Sequence, residues 1–242
     1  MLDFIEMEFL KLRRSKFFII LILGILTPSF LMFLGLMMGA MGPISMKFFL
    51  DQIVSVGIVL FNVIIYALLA AYLIVMEYND HTLKSILTTP ISKNKFILGK
   101  WVMVLILVFA LTLITFIVSV VLGYAGGATD IDFNMLFNYF IQFVGANILL
   151  AVVITPFLFI SLIFKNIVPG VIGGVIVAIS NFIVYSTDYA PLSPFCSPFL
   201  IVCNELAPYG YGVEVPLLII ALTGIFGLLL SMIYFNKSDV AL

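Results

Sequence analysis

Six stretches of the chain contain no Asp, Glu, Lys, Arg or His: 17–42, 53–76, 101–123, 135–164, 167–187 and 215–235. Hydrocarbon is about 30 Å thick and a helix rises about 1.5 Å per residue, so about 20 uncharged residues make one crossing. Strands of a membrane barrel would read as segments of about 10 residues with alternating character, which these are not. The pattern predicts an all-α integral membrane protein with six transmembrane helices. Residues 1–16 predict a further helix, with Leu2, Ile5, Phe9 and Leu12 on one side and Arg13, Arg14 and Lys16 at its end. Acidic residues lead and basic ones follow, as the helix dipole favours, and the basic end reaches anionic headgroups. This favours an interfacial helix along the inner leaflet over a frayed start that only sets topology.

Composition closes off the soluble alternative. Of the 242 residues, 64% are apolar and 10% charged, against about 45–50% and about 25% in a soluble globular domain. Mean hydropathy is +1.31. Two cysteines and one histidine are too few for a disulfide scaffold or a zinc cluster. Charge placement adds an orientation. Of the 11 Lys and Arg, all but Lys47 lie at the N-terminus, between the second and third spans, at Lys165 or in the tail. The positive-inside rule then puts both termini in the cytoplasm. The first apolar run is longer than a signal-peptide core and is expected to be retained.

Two connections carry more than a reversal of direction. The loop 77–100 is the sizeable cytoplasmic one; Asn79 or Asp80 caps a short helix whose Leu83, Ile86 and Leu87 share a face, Pro90 stops it, and Ser92 caps the approach to the third span. That apolar face wants a partner, either another protein or the lipid and helices beside it. The segment 188–214 is the largest external loop, with Pro191, Pro194, Pro198 and Pro208 among apolar residues, and fits short re-entrant or interfacial helices. Its Cys196 and Cys203 lie seven apart, a helical separation of roughly 10 Å that exceeds disulfide reach, which favours buried thiols over a pair.

Within the spans the polar groups are few. Intramembrane ionisable residues mark ion-coupled transport and proton relays, and the spans have none. Asn62, Gln142, Asn147 and Asn181 are the strongest polar side chains; interhelical hydrogen bonding is their first expected role, and Asn62 and Asn181 are candidate polar groups along a path. Pro28 and Pro156 are expected to kink their helices. Gly170 and Gly174, with Gly173 between them, permit close helix contact within the subunit or between subunits; three glycines within five residues tilt the expectation toward a dimer seam. No catalytic constellation or metal site is found. His81 lies in the cytoplasmic loop, and Gly99-Lys100 lacks the upstream glycine and the hydroxyl residue of a phosphate-binding loop.

Six spans with both ends inside, the start Glu8-Phe-Leu-Lys-Leu-Arg-Arg-Ser-Lys16, and a loop running from Glu77 through Thr82-Leu83 and Pro90-Ile91-Ser92 to Gly99-Lys100 resemble the type-2 ATP-binding-cassette exporter permeases. Within that family the chain resembles the small bacterial permeases for bacitracin, lantibiotics or other amphipathic peptides. Many members have Gly-Thr where this loop has His81-Thr82. The resemblance implies one transmembrane domain in the bacterial plasma membrane that pairs with a second copy or a paralogue. It also implies two cytoplasmic ATP-binding subunits that carry ATP and Mg, with no cofactor, metal or catalytic site on this chain and no nucleic-acid partner. The helix at about Asp80 to Leu87 would be the coupling helix, with Leu83, Ile86 and Leu87 as buried knobs, Glu77, Asp80 and Lys84 as polar rim, and Thr82 among the coupling residues. The start of the first span, the second span and the fifth would border the path. The alternatives are a transporter or channel not coupled to ATP, disfavoured by the missing titratable groups, and a scaffold or immunity protein that sequesters its ligand.

Overall fold

The computed structural model describes residues 2–13, 16–39, 44–79 and 92–237. All the long elements are helical: α1 (Leu2–Arg13), α2 (Phe17–Met37), α3 (Met46–Val56), a π-helical segment (Gly57–Phe61), α4 (Asn62–Asn79), α5 (Lys93–Ala125), α6 (Phe133–Val153), α7 (Thr155–Phe164), α8 (Ile167–Tyr185), α9 (Ser197–Val202) and α10 (Glu214–Lys237). Six continuous stretches are long and apolar enough to cross a membrane: α2, α3 through α4, α5, α6 through α7, α8 and α10. They are called spans 1 to 6 below. The asparagine amide of Asn236 donates to Asn94 Oδ1 at 2.6 Å, so the C-terminal end of span 6 lies beside the start of span 3. The first helix lies at this same end of the bundle, which is therefore called the terminal end.

Several spans are longer than their uncharged cores because polar caps extend them. Span 2 starts at Met46, where the Ser45 hydroxyl accepts from the Phe48 amide. Span 3 starts at Lys93 in the same way, with Ser92 accepting from Lys95. Span 4 divides at Ile154, ahead of Thr155 and Pro156, because proline lacks the amide that would continue the ladder. Thr155 turns its hydroxyl to the Gly224 carbonyl of span 6 at 2.9 Å. A Cβ on Gly227 would stand 2.6 Å from the Pro156 nitrogen, so span 6 is seated directly on the break. Pro28, by contrast, is carried inside an unbroken α2.

Span 2 is the central helix. It packs against span 5 and α7 as well as spans 1 and 3, and Tyr66, Leu69, Ala70 and Leu73 are fully buried. A Cβ on Gly170 would come within 2.9 Å of Ala71 Cβ, and one on Gly174 within 2.7 Å of Ala67 Cβ. Gly170 and Gly174 thus seat span 5 on span 2 of the same chain, the within-subunit contact that the sequence leaves open beside a dimer seam. Gly173 faces the Phe157 ring of α7. The small residues let two backbones approach where apolar burial gives no advantage over lipid.

Candidate functional site

Four charged side chains meet at the terminal end. Glu8 and Lys11 come from α1, Glu77 from the last turn of span 2 and Lys100 from the early part of span 3. Lys100 Nζ donates to Glu8 Oε2 and to Glu77 Oε1, both at 2.7 Å. Lys11 Nζ donates to the same Glu77 oxygen at 2.7 Å and lies 3.7 Å from Glu8 Oε1. Lys100 and Glu77 are wholly buried, Glu8 is 1% exposed, and Lys11 keeps 30% of its side chain open. Two carboxylates and two ammonium groups balance, and each buried charge has a charged hydrogen-bond partner, as burial of ions requires. Burial raises the Glu8 carboxyl above its usual range, opposed by the Lys100 charge and hydrogen bond.

Local sequence explains why α1 turns this face inward. Glu8, Lys11 and Leu12 stand three and four residues apart and share one side of the helix, while Met7, Phe9 and Leu10 are exposed. Of the stripe expected from the sequence, Leu12 packs into the bundle and Phe9 is exposed, while Glu8 goes in. The partners converge because Glu77 precedes the segment 80–91 and Lys100 follows it, each within two or three helical turns. A single buried cluster thus ties the first helix to both ends of that connection.

Other contacts fix the same base. The Lys93 ammonium donates to the Asn236 carbonyl at 3.3 Å, and Phe96 stacks on Phe235 with ring centroids 5.2 Å apart. Phe17, at the start of span 1, stacks on Tyr72 at 3.6 Å. Lys165 turns span 4 into span 5 in a left-handed conformation, φ 50°, and places its ammonium 5.5 Å from the Tyr78 ring. Contacts near the ends of the 80–91 connection therefore tie all six spans.

The residues expected to matter distribute unevenly over this arrangement. Asp80, Thr82, Leu83, Lys84, Ile86 and Leu87 lie outside the described residues. Glu77, expected on a polar rim, is instead buried in the ion cluster. Asn62 and Asn181, expected as possible path groups, are buried between helices. The Asn62 amide and the Tyr66 hydroxyl both donate to Asn147 Oδ1 at 2.7 Å. Asn181 donates to the Val59 carbonyl at 3.4 Å and accepts from Ser193 at 2.9 Å. The first of these bonds reaches a carbonyl in the π-helical segment, where the regular ladder is disturbed. Glu8 and Lys100, which the sequence offers only as parts of the resembling segments and as a basic residue beside a failed phosphate-binding loop, are thus partners in one buried cluster. Among the described residues no three His, Cys, Asp or Glu side chains gather as a metal site.

Comparison with known proteins places this architecture. Residues 4–181 match the family described as ABC-2 family transporter protein. The chain is 32% identical over 183 residues to the bacitracin transport permease protein BCRB of Bacillus licheniformis, covering 76% of this chain and 88% of that protein. The matched region takes in α1, the ion cluster and spans 1 to 4 with most of span 5. A helical bundle with six stretches able to cross a membrane, matched to this family over most of its length, is a membrane permease subunit, which implies a partnering ATPase; the chain belongs to the ABC-2 transporter family.

Proposed function

We propose that this chain forms the membrane half of an exporter that moves amphipathic or hydrophobic peptides out of the cell or its inner leaflet, in antimicrobial-peptide export or self-immunity. ATP hydrolysis in two cytoplasmic subunits, which hold ATP and Mg, drives it. The observation that carries the reading is the buried cluster of Glu8, Lys11, Glu77 and Lys100. It makes the first helix and both ends of the 80–91 connection one mechanical unit. In the sequence, ten of eleven basic residues fall in the segments expected on the side of the termini, which supports placing that end in the cytoplasm. The exposed Met7, Phe9 and Leu10 of α1 then meet the inner leaflet.

In this reading the ATPase seats Leu83, Ile86 and Leu87, with Asp80, Thr82 and Lys84 around them. Closure on ATP pulls the connection, and Glu77 and Lys100 pass the displacement to spans 2 and 3 and to α1. Peptide cargo is supported by a relative whose name is a bacitracin transport permease and by uncharged span interiors. A second copy or a paralogue completes the complex. The test is recovery of the ATPase with the tagged chain in mild detergent, followed by ATP-dependent peptide efflux from reconstituted vesicles. A buried leucine-sized side chain contributes roughly 1.5–3 kcal/mol, so Ile86→Asp with Leu87→Asp loses most of the ATPase while insertion is kept. Unchanged recovery removes this connection from the interface.

A further inference from the structure

We infer that the end of the bundle opposite the termini carries a binding site for one basic and one apolar side chain of an amphipathic peptide. The inference rests on the exporter reading for its orientation, which puts this end outside, and for the class of cargo.

Two adjoining cavities carry it. The larger, about 400 Å³, opens between the start of span 2, span 4 and the segment after span 5. The smaller, about 80 Å³, is walled by Val56, Val59, Leu60 and Phe182. Ser55 and Tyr185 line both, so a polar and an apolar cavity stand side by side. The polar end holds the carboxylates of Asp51 and Glu205 against a single ammonium, Lys47. Tyr139 donates to Asp51 Oδ1 at 2.5 Å and Tyr185 to Glu205 Oε2 at 3.3 Å, so each carboxylate is positioned through one oxygen and keeps a second. Burial holds the Glu205 carboxyl above its usual range, against the Tyr185 hydrogen bond and with the neighbouring Asp51 charge, and an arriving cation offsets that repulsion.

The apolar end is built into the fold. Val59 and Leu60 belong to the π-helical segment Gly57–Phe61, whose wider turn shapes the wall, and Asn181 fixes it through the Val59 carbonyl. Size and charge choose the occupant. The annex takes one aliphatic side chain and is too small for the paired acyl chains of a phospholipid. The carboxylate excess beside it selects a lysine or arginine side chain.

The probe is a short fluorescent peptide of alternating lysine and leucine, offered to the full chain in nanodiscs of phosphatidylcholine and phosphatidylglycerol, with empty nanodiscs subtracted. A glutamate–leucine peptide and a lysine–serine peptide are the controls. The lysine–leucine peptide is expected to bind about tenfold more tightly than either, the equivalent of about 1.4 kcal/mol. Asp51→Asn with Glu205→Gln removes the preference over the glutamate peptide, and Leu60→Trp removes the preference over the serine peptide. Lys47→Glu strengthens binding several-fold, an increase that misfolding cannot produce. Equal affinity for all three peptides, or no gain with Lys47→Glu, overturns the site. Loss of peptide binding on adding phosphatidylethanolamine, with that lipid retained by the wild type and lost by the double variant, assigns the site to an aminolipid and overturns the peptide. No ATPase is present in this assay. Failure here leaves ATP-driven export to stand on its own test, and failure to recover an ATPase leaves peptide binding intact.

Discussion

Glu8 and Lys100, separated by 92 residues, form an ion pair of 2.7 Å at the terminal end with at most 1% of either side chain exposed. The lysine is shared with Glu77 at the same distance, so it is the member that both carboxylates depend on. Removing one partner of a buried pair costs about 3–5 kcal/mol, because the charge left behind has no compensation. Lys100→Met strands two carboxylates and is expected to lower thermal unfolding in detergent by an amount in that range. Lys11→Met, at a side chain that water reaches, is expected to cost no more than about 1 kcal/mol. Equal losses for the two variants would remove Lys100 from its central place.

The Glu8 carboxyl gives the docking of α1 a dependence on pH. Burial raises it above the usual glutamate value of about 4.3, with Lys100 opposing. An acid whose folded-state pKa is raised binds more protons docked than undocked, so docking is most stable below the free value and weakens as pH rises through the raised one. A spin label at the exposed Glu6 is expected to gain mobility over that interval, and Glu8→Gln is expected to abolish the change. A label that gains mobility on acidification instead would reverse the sign and show Lys100 to dominate burial.

The glycines of span 5 are expected to matter for the monomer's own fold. Gly174 faces Ala67 at a distance no Cβ tolerates, and Gly174→Leu drives spans 2 and 5 apart at a cost of about 1–3 kcal/mol. Gly173 meets the edge of the Phe157 ring and the tip of Ile160, at 3.2 Å and beyond, so Gly173→Ala is expected to cost less. Thermal unfolding of the two variants, compared in one detergent, reads the difference. A stable Gly174→Leu variant that loses only self-association would return these glycines to a seam between subunits.

The spans were legible because an uncharged run of about 20 residues has few other uses, and the caps at Ser92 and the break at Pro156 were legible because each is local chemistry. The ion cluster was not. Glu8, Glu77 and Lys100 each sit beside a run of apolar residues and read singly as surface charges or topology signals; only the packing of α1 across the ends of spans 2 and 3 turns them into partners. Asn181 makes the interhelical bond expected first of it, but its partner, a carbonyl of the π-helical segment, has no mark in the sequence. Span 6 was legible as a span, whereas its seat on Thr155 and Pro156 depends on Gly224 and Gly227, whose spacing carries no signature outside the fold.

The two cysteines allow a last measurement, on the segment that closes the proposed binding site. Both are free thiols. Cys196 is buried, its thiol donating to the Asn181 carbonyl at 3.6 Å, and burial pushes its pKa up to about 11. Burial, with the Glu205 and Asp51 charges, pushes Cys203 up to about 12. Maleimides react with the thiolate, which at pH 8 is then about one part in a thousand of Cys196 and one in ten thousand of Cys203. Native protein is expected to label slowly at pH 8 and roughly tenfold faster for each unit of pH added, up to those values. Unfolding in detergent returns both thiols toward about 8.5, so two labels are expected promptly. Lys47→Glu adds a third negative charge to the cavity and is expected to slow Cys203 further, while Asp51→Asn speeds it. Rapid native labelling of Cys203 at pH 8 would mean that α9 does not hold the thiol against the bundle, and the wall it gives to the cavity beside Asp51 and Glu205 would be lost with it.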